Sequence, residues 1–174
     1  MFLATTFSAV GQNIVPKDSL AKFNKETLTI KGYRLSDCDI KDRSGKKNNF
    51  GFLIRDLNAA NHRALVLRVI CSKAGGMTFM SGEFDYADLK KIVSEVVKIT
   101  TAQYPSDDIA FMETIITANS GSFVKSNTYM SDSQKKTTWE IGLTEDGPGV
   151  VELEGIDEII AKFKEAITKM ESLM

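Results

Sequence analysis

The sequence predicts an α+β fold of two pseudo-repeated halves, each a four-stranded antiparallel sheet followed by an amphipathic helix. Three observations predict it. Short apolar/polar alternations bounded by turn residues recur along the chain. Two segments change from a period of two to a period near 3.6. The order of strands and helix then repeats, so that FMSGEFDYADLKKIVSEVV lies opposite VVELEGIDEIIAKFKEAIT as strand, acidic cap and helix.

Asp18 to Asn24 is expected to form a short helix within an N-terminal extension, residues 1–25. Thr27 to Leu35 alternates as a strand, and Ser36 to Asn49, polar and carrying Gly45, reads as a turn or long hairpin loop. Phe50 to Arg55 and Ala64 to Cys71 follow as strands, the latter rich enough in Val, Leu and Ile to be central. Gly75 and Gly76 turn the chain into a fourth strand, Met77 to Phe84. Asp85 caps a helix over Tyr86 to Thr101, whose buried stripe is Leu89, Ile92, Val93, Val96 and Ile99.

The second half repeats the plan. Ile109 to Ala118 and Ser122 to Met130 are strands joined by Asn119, Ser120 and Gly121. Thr137 to Leu143 alternates with Trp139, Ile141 and Leu143 on one face, and Asp146 to Gly149 is a turn before Val150 to Leu153. Ile156 to Met170 closes the chain as a helix. The 174 residues are expected to form one domain, with a first half at about 26–103 and a second at about 107–173.

Composition narrows the function classes. A hydrophobic fraction of 43% with 26% charge argues against disorder. Cys38, Cys71 and His62 are the only Cys and His residues, one short of a four-ligand structural zinc site. A disulfide between the two cysteines has no sequence support, and two thiols suit a reducing compartment. Met1 to Val15 lacks a basic start and is interrupted by polar residues, and no run approaches the length of a membrane span. The expectation is a cytoplasmic protein without a membrane partner.

The net charge of −1 hides an asymmetry. Residues 1–73 hold 13 Lys and Arg against 6 Asp and Glu, a balance of +7, and residues 74–174 balance at −8. One face could attract phosphate, or the halves could attract each other or a second copy.

No nucleotide-binding glycine motif and no nucleophile elbow occurs. Ser72 to Gly76 is glycine-rich but leads from strand to strand, so it offers no helix N-terminus to a phosphate. Asp107 and Asp108 point to opposite faces if extended, Glu152 and Glu154 sit where a helix start favours acids, and His62 has no nucleophile beside it. The expectation is a non-enzymatic protein with no cofactor and no metal.

Two halves of four strands and a helix resemble, in topology, the Whirly and PUR-alpha-like families over roughly residues 26–173. Ile30-Lys31-Gly32-Tyr33-Arg34-Leu35 shares its Lys-Gly pair and final Leu with the KGKAAL-like motif of the Whirly family. The resemblance implies a curved antiparallel sheet that binds single-stranded DNA or RNA, and a homo-oligomer. Asn48 to Arg55 resembles the aromatic strand of the RNA-recognition fold through Phe50, Gly51, Phe52 and Leu53. Its flanking positions differ and the helix that fold needs after its first strand is missing, which excludes that family.

A single-strand binder needs cations for phosphates and flat side chains for bases. Lys31 and Tyr33 share a face of their strand with Arg34 next in line, and Arg55 and Arg68 interrupt apolar strands. Lys46 and Lys47 lie on the basic loop with Lys41 and Arg43, a hairpin tip able to follow a phosphate backbone. Lys125 and Tyr129 share a face with Phe123 and Asn127. These nine candidates (Lys31, Tyr33, Arg34, Lys46, Lys47, Arg55, Arg68, Lys125 and Tyr129) stand against a plain solvated sheet face. Phe50, Phe52, Ile54 and Trp139 are assigned to the core. The alternative function is a small regulator or inhibitor that docks on a larger protein through a sheet edge or its acidic half, consistent with the pI near 5.9.

Overall fold

The computed structural model describes residues 28–59, 62–73, 79–101, 110–131, 134–145 and 149–174. The helix expected at Asp18 to Asn24 lies outside them. Nine strands and two helices are described: β1 (Thr29–Arg34), β2 (Cys38–Lys41), β3 (Lys47–Ala59), β4 (His62–Ser72), β5 (Phe79–Asp85), α1 (Tyr86–Thr101), β6 (Phe111–Thr117), β7 (Phe123–Ser131), β8 (Gln134–Leu143), β9 (Gly149–Leu153) and α2 (Asp157–Leu173).

Both sheets are antiparallel, and each is followed by its helix. The first has five strands rather than the expected four. Its order is β1-β3-β4-β5, with β2 also paired to β3. β1 covers Leu53 to Asn58 of β3, while β2 covers Lys47 to Phe50. The two are successive pieces of one edge, interrupted where Leu35 N–H bonds to Phe52 O at 3.0 Å. The stretch expected to be loop therefore contains a strand, because Cys38 and Ile40 alternate with Asp39 and Lys41 over only four residues. β3 is longer than its apolar stretch because buried Asp56 is satisfied by Arg63 and Asn58, which lets the ladder continue through a polar position. The second sheet has the order β6-β7-β8-β9.

In an antiparallel pair, residues opposite each other share a face, and faces alternate along each strand. The inner face of the first sheet carries Phe50, Phe52 and Ile54 beside Cys71, Val69 and Leu67. That of the second carries Val124, Ile141 and Val151, with Trp139 beside Leu153. One cluster of buried side chains draws on both inner faces, on Leu89, Ile92, Val96 and Ile99 of α1, and on Ile159, Ile160, Phe163 and Met170 of α2. Phe84 and Phe163 meet at its centre with ring centroids 5.3 Å apart, so the second helix packs on the first sheet.

The halves also join at a polar seam along β5. Ser81 O accepts the Glu145 N–H at 2.8 Å, and Glu83 O accepts the Ser120 hydroxyl. Turns of the second sheet thus close the outward edge of the first. At the centre of the seam a Cβ on Gly82 would stand 3.0 Å from Leu143 Cδ2, 3.2 Å from Leu143 Cα and against the Ser122 hydroxyl. Only a residue without a side chain lets the strands approach this closely.

Cys38 and Cys71 both lie opposite Phe50, on the strands flanking β3. Two strand spacings separate them by about 9–10 Å, too far for a disulfide. Both are free thiols, and burial pushes each up to about 11, so both are neutral. No helix among the described residues is long and apolar enough to cross a membrane.

Candidate nucleic-acid interface

The nine candidate residues fall in four places. Lys31 and Tyr33 do share a face, but it is the inner one: Tyr33 lies opposite fully buried Ile54 and packs on the core, with Lys169 Nζ of α2 5.4 Å from its ring centroid. Lys31 lies opposite buried Asp56. Neither is on the face of Arg55 and Arg68.

Arg34, Arg55 and Arg68 point outward from the first sheet, and carboxylates meet each of them. Arg34 Nη2 is 2.6 Å from Asp37 Oδ2 at an exposed corner. Arg55 Nη1 is 2.5 Å from Glu83 Oε1, with only 13% and 16% of the two side chains exposed. Arg68 Nε lies 3.3 Å from Glu145 Oε2, its Nη2 donates to Ser81 Oγ at 3.1 Å, and Ser81 Oγ donates to Glu145 Oε2 at 3.0 Å. Burial, and then the charge of Glu145, push the Glu83 carboxyl up, while Arg55 holds it down. Of these, only the Arg68–Glu145 contact joins the two halves, and none of the three arginines presents an open cation to a phosphate chain.

Lys46 and Lys47 enter the β2–β3 hairpin, whose tip is built rather than loose. Asp42 Oδ1 accepts the Ser44 N–H at 2.8 Å, the Ser44 hydroxyl at 2.7 Å and the Lys46 N–H at 3.0 Å. Gly45 takes φ = +80°, the left-handed region that favours glycine. The Ser44 hydroxyl leads the causes that lower the Asp42 carboxyl. Arg43 Nη1, 3.9 Å from Glu152 Oε2, ties the tip to β9. Beneath it a cleft of about 420 Å³ is lined by Lys41 and Lys47, and by Asp39, Glu154, Asp157 and Glu158, so acids outnumber bases there.

Lys125 and Tyr129 sit on the outer face of the second sheet, which also carries Phe111 and Phe123. Register places four rows across its strands: Phe111–Tyr129–Lys136, Glu113–Asn127–Thr138, Ile115–Lys125–Glu140–Glu152 and Thr117–Phe123–Gly142–Val150. Phe111 is 63% exposed and Ile115 53%. The Phe123 ring covers Gly142, where any side chain would strike it. Lys125 Nζ lies 2.8 Å from Glu113 and 3.7 Å from Glu140, and the Glu113 hydrogen bond is the first cause raising its ammonium above the ordinary range. Lys136 Nζ donates to Ser131 Oγ at 3.2 Å.

This face is a shallow ladder with an aromatic pair at one end and a lysine held between glutamates in the middle. It offers rings for stacking and amide or hydroxyl groups for hydrogen bonds. With two lysines against three glutamates, it offers little net positive charge. Phe111, Ile115 and Lys136 were missed in the sequence reading. The alternation of Phe111, Glu113 and Ile115 carried the signal, but pairing with Tyr129 and Lys125 depends on register. Among the described residues, no group of three or more His, Cys, Asp or Glu side chains is placed to hold a metal ion. No protein-family model matches this chain, and a search of curated proteins finds none that is similar to it.

Proposed function

We propose that the outer face of the second sheet binds single-stranded nucleic acid, DNA or RNA, by stacking bases on the Phe111–Tyr129 pair. The carrying observation is that pair: two aromatic residues opposite each other on an open antiparallel face, with Lys136 in the same row and Asn127 and Thr138 in the next. Stacking on a sheet face is sequence-tolerant, because every base has a flat surface. The strand-and-helix order that resembles the Whirly and PUR-alpha-like families supports the same mode. The charge balance of the face makes stacking, rather than phosphate attraction, the main source of affinity.

The test is fluorescence anisotropy of labelled DNA and RNA strands of about 30 nucleotides, titrated at low and moderate salt. With two lysines available, log K is expected to fall with log salt at a slope near −1 to −2, shallower than for a basic groove. Phe111→Ala and Tyr129→Ala are each expected to weaken binding by about 5- to 150-fold, corresponding to about 1–3 kcal/mol per stacked base. No binding at low salt, or a Tyr129→Ala variant that binds like wild type, would overturn the proposal.

One observation favours a second reading. β6 lies at the edge of its sheet with Phe111 and Ile115 exposed, a site where a partner protein can add a strand. A pull-down in which Phe111→Ser loses the captured protein, combined with absent nucleic-acid binding, would favour that reading.

A further inference from the structure

The far end of the proposed interface holds an aromatic residue that the Phe111–Tyr129 pair does not use. Phe123 opens β7 on the same outward face as Tyr129. At about 3.3–3.4 Å per residue, the two stand about 20 Å apart along the strand. Opposite Phe123 on β8 lies Gly142, the one glycine in that strand. A glycine inside a strand weakens it, and often marks a place where another group approaches the backbone closely. Here the approaching group is the ring itself. A Cβ on Gly142 would strike Phe123 Cε1, Cζ and Cδ1, three consecutive ring atoms.

Contact with three neighbouring atoms at once means that the ring lies across the glycine by its flat side. Gly142 is buried beneath it, while Phe123 stays half-buried. One side of the ring is thus seated on backbone, and the other faces outward. The flanks of the row are open too: Thr117 on β6 is exposed, and Val150 on β9 is 45% exposed. A ring already held on one side loses little freedom when a base settles on the other.

The rows between the two ends have a different character. Lys125 is held 2.8 Å from Glu113 and 3.7 Å from Glu140, with Glu152 in its row. Carboxylates there repel phosphates, so a strand is drawn to the face at its ends and bows outward between them.

We propose that Phe123, seated on Gly142, is a second stacking platform, a role that rests on the single-strand reading of this face. The face then grips one strand at two points about 20 Å apart. At the duplex rise of about 3.4 Å per nucleotide, about six steps cover that gap, and at twice that rise about three. The ligand is therefore an oligonucleotide of at least about four nucleotides, because a strand of about three falls short of the second ring.

The test is a titration of the full chain, wild type and Phe123→Leu, with oligothymidine strands of about 3 and about 12 nucleotides, followed by fluorescence anisotropy. Leucine keeps an apolar cover on Gly142 and removes the flat surface. Lengthening the strand is expected to raise the affinity of wild type about 5- to 150-fold more than that of Phe123→Leu, the contribution of one stacked base. In wild type, the longer strand is expected to move the Phe123 and Tyr129 ring protons upfield together in NMR spectra. Tyr129 protons that move while those of Phe123 stay still would overturn the second platform and leave the first reading standing. An equal gain with length in Phe123→Leu and wild type would do the same. No binding of the longer strand to wild type would overturn both. The wild-type spectra decide the matter even if the variant fails to fold.

Discussion

Replacing Gly82 with alanine measures how tightly the two sheets are joined. The new methyl would stand 3.0 Å from Leu143 Cδ2 and 3.2 Å from Leu143 Cα, and would collide with the Ser122 hydroxyl. The hydroxyl and Cδ2 belong to side chains that are fully buried, so neither swings into open space. The Leu143 backbone must give as well, and it is held in the ladder by pairing with Gly149. Overpacking of this kind costs about 1–3 kcal/mol, and involvement of backbone places Gly82→Ala at the upper end, about 2–3 kcal/mol. Urea unfolding followed by Trp139 fluorescence is the assay. With a slope of about 2 kcal/mol/M, the midpoint should fall by about 1–1.5 M. Two other glycines serve as controls. Nothing lies within 4 Å of a Cβ on Gly155, so Gly155→Ala should be neutral or stabilise by about 0.4–1 kcal/mol. Gly45 also has open space but a φ of +80°, so its alanine variant should lose about 1–2 kcal/mol through backbone strain alone. If Gly82→Ala unfolds at the same urea concentration as Gly155→Ala, the close approach at the seam is not real.

Two further outcomes are expected. Arg55→Met leaves Glu83 in a largely enclosed position without its partner, and should cost about 3–5 kcal/mol in urea unfolding. The double variant with Glu83→Leu should recover most of that loss, and a single variant as stable as wild type would show that the pair contributes nothing. Asp56 is held below the ordinary carboxylate range chiefly by its hydrogen bonds from Arg63, at 2.9 Å and 3.1 Å. A lowered folded-state value contributes stability above the unfolded value and loses it as pH falls through the folded one. Arg63→Met should therefore flatten the loss of stability below about pH 4, while leaving intact the opposite trend of Asp88, whose carboxyl is pushed up to about 6 by burial and then by the charge of Asp85. Unfolding curves at several pH values check both signs, and an unchanged acid limb would remove Asp56 from the account.

Local periodicity carried most of the fold. Helix α1 runs from Tyr86 to Thr101 as its stripe and Asp85 cap require, and the strands of the second half follow their alternation closely. β2 escaped because four residues hold too little pattern to stand out from a charged loop. β3 outran its apolar stretch because Asp56 finds partners only once Asn58 and Arg63 are placed beside it. The candidate site was less legible. Parity along a strand is local, so the shared face of Lys125 and Tyr129 could be read directly. Which of the two faces meets a helix is not local: Tyr33 packs on the core side, and Lys31, though exposed, shares that parity rather than the face of Arg55 and Arg68. Ion partners are further still: Glu83 lies 28 residues from Arg55, and the seam residue Glu145 lies 64 residues from Ser81.

The closed edge of β5 also bears on how the chain is made. A ribosome delivers β1 to β5 well before Ser120 and Glu145, whose groups occupy the Ser81 and Glu83 carbonyls. Roughly 60 residues separate Asp85 from Glu145, and synthesis at about 5–20 residues per second leaves that edge waiting about 3–12 s. For that interval the nascent first half is a sheet with a free border and an uncovered apolar surface, open to neighbouring chains on the same message. The second half therefore completes the first in time as well as in space, and a fragment that stops after α1 would keep that border permanently.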